Sequence, residues 1–146
     1  MATLDENFIT RLGQQLPHRL AIISQTTQIP AHFTNFVKKL IDSTLTKDSE
    51  LHIIDTICHD IRKRQAEALK LANKVDLMLV IGSHASANTN HLAQLCSTAT
   101  KTYLVEKAEK IQSSWFQGQH YIGITAGTST ALETINEIIT KLEAIA

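Results

Sequence analysis

Residues 75–81 constrain the fold more than any other part of the chain. The segment is continuous and aliphatic except for Asp76, which is typical of a strand buried on both faces of a parallel sheet. Four shorter apolar runs are further strand candidates: residues 20–23, 51–54, 102–105 and 121–125. Longer helical patterns lie between these runs.

The helical patterns start at recognisable positions. Pro30 suits the first turn of a helix, and apolar residues follow it at helical spacing: Phe33, Phe36, Val37, Leu40 and Ile41. Further helices are expected after Cys58 to about residue 73, from about residue 88, and from near Ser129. Alternating strands and helices predict an α/β fold, with a parallel sheet flanked by helices on both faces.

Composition excludes several classes of function. Lys and Arg together number 14 and balance 14 Asp and Glu, so neither nucleic acid nor a membrane is expected as a partner. The first residues lack a secretory signal, and no apolar run approaches the ~18 residues of a membrane span. Cys58 and Cys96 are too far apart for a zinc site. We expect a soluble, cytoplasmic protein.

Polar loops follow the predicted strands at residues 24–27, 55–58, 82–88 and 125–130. Ligands of parallel sheets bind beyond the carboxyl ends of the strands. Hydroxyls and amides at helix N-termini suit an oxyanion or a phosphate. Ser, Thr and Asn are also ordinary helix caps, so a single loop of this kind is more often a cap. If the loops share one edge of one sheet, together they predict a small anionic ligand.

The same loops carry a resemblance to a known family. The motifs Gln25-Thr26-Thr27, Asp55-Thr56-Ile57-Cys58 with Arg64-Gln65, Gly82-Ser83 with Ser86-Ala87-Asn88-Thr89-Asn90, and Gly123-Ile124-Thr125-Ala126-Gly127-Thr128-Ser129 occur in this order. They resemble the consecutive motifs of the 4-hydroxy-3-methylbut-2-enyl diphosphate reductases, the LytB/IspH family of isoprenoid biosynthesis. The resemblance extends from about Pro17 to the C-terminus.

The resemblance implies a fold and a cofactor. Family members form three α/β lobes around a 4Fe-4S iron–sulfur cluster, which three cysteines hold, one from each lobe. They are oxidoreductases that convert hydroxymethylbutenyl diphosphate to isopentenyl and dimethylallyl diphosphate by reductive dehydroxylation. Residues 1–50 would be a remnant of the middle lobe and residues 51–146 the C-terminal lobe, together one compact unit.

The resemblance also implies residue roles. Cys58 matches the third cluster cysteine, and Thr26 matches a catalytic-site threonine near the substrate hydroxyl. The substrate diphosphate would be bound by Ser86, Asn88 and Ser129. Cys96 matches no ligand, and its helical spacing from Leu92 and Leu95 predicts a small core residue.

The chain departs from the family pattern in four respects. By the resemblance, the given residues correspond to the family from its middle lobe onward, and we expect the N-terminal half, which carries the first two cluster cysteines, diphosphate-binding histidines and a proton-delivering glutamate, to be missing. Ile61 replaces a pocket threonine, Ala87 replaces a paired serine, and the proline that usually follows the last serine motif is absent, with Thr130-Ala131 in its place. A lost hydrogen bond to a charged group costs roughly 1.5–3 kcal/mol, so the changes at Ile61 and Ala87 are expected to weaken binding.

Three hypotheses follow for function. In the first, a partner chain carrying the N-terminal half completes the enzyme, and the exposed apolar face of this chain marks the contact. In the second, the chain is a non-catalytic relic or a small diphosphate-binding module. In the third, a homo-oligomer brings several Cys58 thiols together around a cluster. We expect a single copy of this chain to be inactive and to bind no cluster, because one cysteine cannot hold four irons.

Overall fold

The computed structural model describes residues 17–44 and 50–145. The chain divides into two compact units, Met1–Ile61 and Arg62–Ala146. These bounds differ from the predicted segments 1–50 and 51–146, and the assignment of either segment to a lobe of the family fold stays a prediction. In the described ranges, no helix combines the length and the apolar character that crossing a membrane requires.

The first unit contains a two-stranded parallel sheet. Its elements are β1 (Arg19–Ile23), α1 (Pro30–Thr44) and β2 (Glu50–Ile54). The predicted strands are confirmed, each with one more residue at its start. Pro30 opens α1 as expected, because a missing N–H costs nothing in the first turn. Phe33 and Leu40 on α1 are buried.

One face of this sheet is uncovered. Side chains alternate along a strand, and the alternating set on this face is exposed throughout: Arg19, Ala21, Ile23, Glu50, His52 and Ile54. Ile23 and Ile54 pair in register and are 69% and 52% exposed. The predicted α/β fold with parallel sheets is confirmed, and this face is a part of it that the described residues leave exposed.

The second unit contains a three-stranded parallel sheet in the order β4-β3-β5. It begins within α2, which straddles the division between the units. Its elements are α2 (His59–Ala72), β3 (Leu77–Ile81), α3 (Ala87–Ser97), β4 (Lys101–Val105), two short 3₁₀ turns (Ala108–Lys110 and Ser113–Phe116), β5 (Ile122–Ala126) and α4 (Leu132–Glu143).

The central strand β3 is buried along its whole length, as its aliphatic sequence predicts. Met78 and Val80 pack on one face with residues of α2 and α3, including Leu92 and Cys96. Leu77, Leu79 and Ile81 pack on the other face with Val105, Ile111 and Ile138. Helices therefore flank both faces of this sheet, and the predicted core position of Cys96 is confirmed.

Two details of the predicted architecture need correction. The five strands form two sheets rather than one, so the four loops lie in pairs at the ends of two different sheets. Strand partners are chosen by contacts distant in sequence, which the apolar pattern of a single strand does not encode. The last helix begins at Leu132 rather than near Ser129, because Thr130 closes a turn onto Gly127 and the backbone at Ala131 is extended.

Candidate functional site

In the first unit, the ends of β1 and β2 are joined by side chains. The Thr56 hydroxyl donates to the carbonyl of Ser24, and the Thr56 N–H donates to Ser24 Oγ at 3.1 Å. The two hydroxyl oxygens also lie 3.2 Å apart. These contacts fix the start of both loops that follow the strands.

Thr26 and Cys58 are brought together by this arrangement. The backbone N–H of Cys58 donates to the carbonyl of Thr26 at 3.0 Å. Upstream, Asp55 Oδ1 accepts the N–H of Ile57 at 3.0 Å, which orders the turn before the cysteine. Cys58 precedes the first residue of α2, and its side chain is exposed. The Thr26 side chain is exposed as well.

In the second unit, Ser86 and Asn88 lie at the N-terminus of α3. Ser86 is the N-cap, since its Oγ accepts the N–H of Thr89 at 3.3 Å. Asn88 is only 5% exposed, and its Nδ2 lies 3.4 Å from Thr128 Oγ1 on the neighbouring loop. Its Oδ1 is buried without a hydrogen-bond partner. Asn88 therefore joins the two loops and leaves one atom of its amide group without a hydrogen-bond partner.

The loop of residues 125–130 does not serve as a helix cap. The N-cap position of α4 is Ala131, which offers no capping side chain. The Thr130 hydroxyl instead donates a hydrogen bond to the carbonyl of Ile81 at 3.0 Å. Ser129 is exposed. The capping interpretation thus accounts for Ser86 but not for Ser129.

Two glycines allow the loops to approach α3. The backbone N–H of Gly127 donates to the carbonyl of Ile81 at 2.9 Å. Gly82 has a φ of 145°, which L side chains rarely adopt. A Cβ on Gly82 would lie 2.8 Å from the hydroxyls of both Thr89 and Thr130, and one on Gly127 would overlap Thr89 Oγ1. Thr89, which is fully buried, occupies the space that the missing side chains leave.

Charged residues flank these loops on both sides. Arg64 donates from its guanidinium to the carbonyl of Ala126 at 3.4 Å. Glu106, directly after β4, accepts the N–H of His84 at 2.7 Å. The Ser83 hydroxyl and this N–H hold the pKa of the Glu106 carboxyl below its usual range. The sequence reasoning missed Glu106, although it follows a strand end, because a lone surface carboxylate carries no motif.

The described residues do not by themselves fit an iron–sulfur cluster. They include two thiols, and that of Cys96 lies in an apolar cluster where burial raises its pKa to about 11. Within residues 17–44 and 50–145 no three His, Cys, Asp or Glu side chains converge as a metal site. Cys58 is thus the one accessible thiol in the described ranges.

The positions that depart from the family pattern take ordinary structural roles. Ile61 is 7% exposed and belongs to the buried apolar residues. Ala87 is the exposed first residue of α3. Ala131 has a φ of −65°, which is the value that a proline ring imposes.

Sequence comparisons place these features among known proteins. Residues 2–143 match the family model described as LytB protein. The chain is 56% identical over 123 residues to the 4-hydroxy-3-methylbut-2-enyl diphosphate reductase of Dehalococcoides mccartyi, covering 84% of this chain and 43% of the relative. It is 40% identical over 128 residues to the enzyme of the same name from Geotalea uraniireducens, covering 87% and 44%. The chain therefore spans about half the length of these relatives.

Solved structures give the same picture. One solved structure is that of an (E)-4-hydroxy-3-methyl-but-2-enyl diphosphate reductase, described as the terminal enzyme of the non-mevalonate pathway. Its chain is 31% identical to this one with a TM-score of 0.58, and the match covers 96% of this chain and 48% of that chain. The reductase from Plasmodium falciparum has a TM-score of 0.78 at 20% identity, covering 90% and 42%. The second likeness establishes the shared fold alone.

Proposed function

Because the chain belongs to the LytB/IspH family, we propose that it provides part of a hydroxymethylbutenyl diphosphate reductase. In this proposal the loops of the second unit bind the diphosphate through Ser86, Asn88 and Ser129. The loops of the first unit supply Thr26 near the substrate hydroxyl and Cys58 as one thiolate ligand position. A cytoplasmic location stays a prediction of the sequence.

The unused amide atom of Asn88 carries the diphosphate part of the proposal. A buried polar atom without a partner is costly and rare, so such an atom in a native site calls for a ligand or water. The oxygen and nitrogen of an amide are assigned from their contacts. With the amide turned over, Oδ1 accepts the Thr128 hydroxyl and Nδ2 is free to donate to a phosphate oxygen. Ser86 and Ser129 stand on the same pair of loops.

Reduction would require residues that the described part of the chain does not supply. A four-iron cluster needs thiolates on most of its irons, and Cys58 is one thiol. We propose that a second polypeptide carrying the family's N-terminal half provides the other ligands, and that this chain alone has no reductase activity. The uncovered face of the first sheet supports this, because Ile23 and Ile54 leave an apolar end that a partner could bury.

A second candidate function is diphosphate binding without catalysis. It is favoured by the location of Ser86, Asn88 and Ser129 in one unit that has its own three-stranded sheet and two apolar clusters. A homo-oligomer that gathers several Cys58 thiols is the third candidate. Its symmetry axis would have to pass through the cluster.

Titration calorimetry with pyrophosphate tests the binding site. We expect the wild-type chain to bind, and Asn88→Asp to weaken binding about tenfold or more, because one donor is lost and a negative charge is added. Asn136→Asp adds the same charge on an exposed position of α4 and is expected to leave affinity unchanged. Absence of heat with the wild-type chain would rule out the diphosphate site.

Anaerobic reconstitution with iron and sulfide tests the cluster part. The chain alone is expected to stay colourless, and co-expression with the N-terminal half of a reductase to give a brown complex that Cys58→Ser abolishes. Visible absorbance and bound iron in the chain alone would support the homo-oligomer instead. A colourless mixture with the N-terminal half would leave the binding module as the function.

A further inference from the structure

The geometry points to Glu106 as a positioning residue that holds residues 83–86 in the conformation that binds the diphosphate. This inference rests on the proposed function, since it concerns the same loop. Glu106 lies outside the family motifs in this sequence. It stands at the end of β4, the strand next to β3, from which the loop starts.

The carboxylate of Glu106 holds two consecutive residues of the loop. Its Oε1 accepts the backbone N–H of His84 at 2.7 Å, and the Ser83 hydroxyl also hydrogen-bonds the carboxylate. The Ser83 oxygen in turn accepts the N–H of Ala85 at 3.1 Å. A single side chain from outside the loop therefore contacts two successive residues, and the first of them holds a third.

Further hydrogen bonds hold the loop, among them the one that the Ser86 N–H donates to the carbonyl of Ser83 at 3.0 Å. Gly82 donates its N–H to the carbonyl of Val105 at 3.0 Å, which fastens the start of the loop to β4. Asn90 donates from Nδ2 to the carbonyls of His84 and Ser86 at 2.6 and 2.9 Å. Asn90 holds the loop from the helix side and Glu106 holds it from the sheet side. Ser86 is the last residue of the held segment, and Asn88 follows two residues later.

The charge state of Glu106 suits this role. The hydrogen bonds from the Ser83 hydroxyl and the His84 N–H favour the ionised carboxylate and hold the pKa of Glu106 below its usual range, and hydrogen bonds to an ionised acceptor are stronger than neutral ones. The same negative charge would oppose a nearby anion. Replacement by glutamine separates the two effects, because it keeps an acceptor and removes the charge.

Binding of pyrophosphate by three variants tests the inference. If the loop of Glu106→Ala populates the competent conformation about a tenth of the time, its Kd rises about tenfold. Glu106→Gln is expected to restore affinity to within about threefold, since a neutral hydrogen bond replaces a charge-assisted one. Glu109→Ala, which removes an exposed carboxylate from the following 3₁₀ turn, should bind like the wild type.

An NMR signal separates this inference from the proposed function. The amide proton of His84 should lie downfield in the wild type, and should move upfield in Glu106→Ala and less in Glu106→Gln. Equal Kd values for wild type and Glu106→Ala, or an unmoved His84 amide, would overturn the role of Glu106 alone. If the wild type binds no pyrophosphate while the His84 amide shifts as expected, the proposed function is overturned. Glu106 would then hold the loop without any role in diphosphate binding.

Discussion

Thr56 donates both its hydroxyl and its backbone N–H to Ser24, across 32 residues of sequence. This pair joins the carboxyl ends of β1 and β2 at the point where the loops of Thr26 and Cys58 begin. Most of the stabilising contacts of a two-stranded sheet lie between its strands, and such a sheet is marginal without further support. The pair therefore stabilises the ends of both strands in the first unit, and we call it the Ser24–Thr56 lock.

Thr56→Val tests this lock. Valine keeps the branched shape and removes the hydroxyl, so we expect the free energy of unfolding to fall by about 0.5–1.5 kcal/mol. Urea unfolding followed by circular dichroism measures the loss. Thr34→Val, on an exposed position of α1, is the matched control and should change stability little. Equal midpoints for the two variants would show that the lock contributes nothing.

Gly127 is expected to tolerate a side chain only when Thr89 is shortened. Gly127→Ala places a methyl group against Thr89 Oγ1, and overpacking of this kind typically costs about 1–3 kcal/mol. Thr89→Ala removes the hydroxyl that it meets. The double variant should therefore recover most of the loss in thermal unfolding. Additive losses from the two changes would contradict the proposed contact.

Asp76 should make the chain less stable in acid. Its Oδ2 accepts the N–H groups of His120 and Tyr121 at 2.8 and 2.9 Å, and these bonds, with that from Tyr121 the larger cause, lower the pKa of the carboxyl from 3.8. A lowered folded-state pKa means that the contribution is present above pH 3.8 and is lost as the pH falls through the lower folded value.

Melting temperatures between about pH 2 and pH 7, a range that reaches below the ordinary pKa of an aspartate, check this expectation. Asp76→Asn should melt below the wild type at neutral pH, and the difference should shrink in acid. Glu109→Gln removes one exposed carboxylate without touching these bonds and serves as the control. A difference that stays constant with pH would show that the charge of Asp76 is not the cause.

The two cysteines should react with thiol reagents at different rates. The thiolate is the reactive species. Cys96 is buried, and burial raises the pKa of its thiol to about 11. Cys58 is exposed. We expect one thiol to react in the folded chain and two in denaturant. Cys58→Ser should abolish the fast reaction. Fast labelling that persists in this variant would mean that Cys96 is accessible.

Ala87→Ser should strengthen pyrophosphate binding. The substitution restores a hydroxyl on the exposed first residue of α3, between Ser86 and Asn88, and a hydrogen bond to a charged group is worth about tenfold in affinity. Ala99→Ser introduces the same hydroxyl on an exposed position beyond the C-terminal end of α3 and is the control. Equal affinities for Ala87→Ser and wild type would show that position 87 does not face the ligand.

The sequence by itself determined the elements and the family. The largely aliphatic run at residues 75–81 predicted the buried strand that the structure has at Leu77–Ile81, and Pro30 marked the start of a helix, because apolar spacing and backbone restriction are local properties. The ordered motifs around Thr26, Cys58, Asn88 and Ser129 identified the family before any contact was known. Cys96 was assigned to the core from its spacing alone.

Only the tertiary structure decided how these elements combine. Strand pairing depends on contacts between distant segments. The sequence therefore did not predict the division into two sheets, the Ser24–Thr56 lock or the exposed face that bears Ile23 and Ile54. The same holds for Asn88 against Thr128 and for Glu106 against His84. A hydrogen bond requires two groups within about 3 Å, and that proximity exists only once the chain has folded.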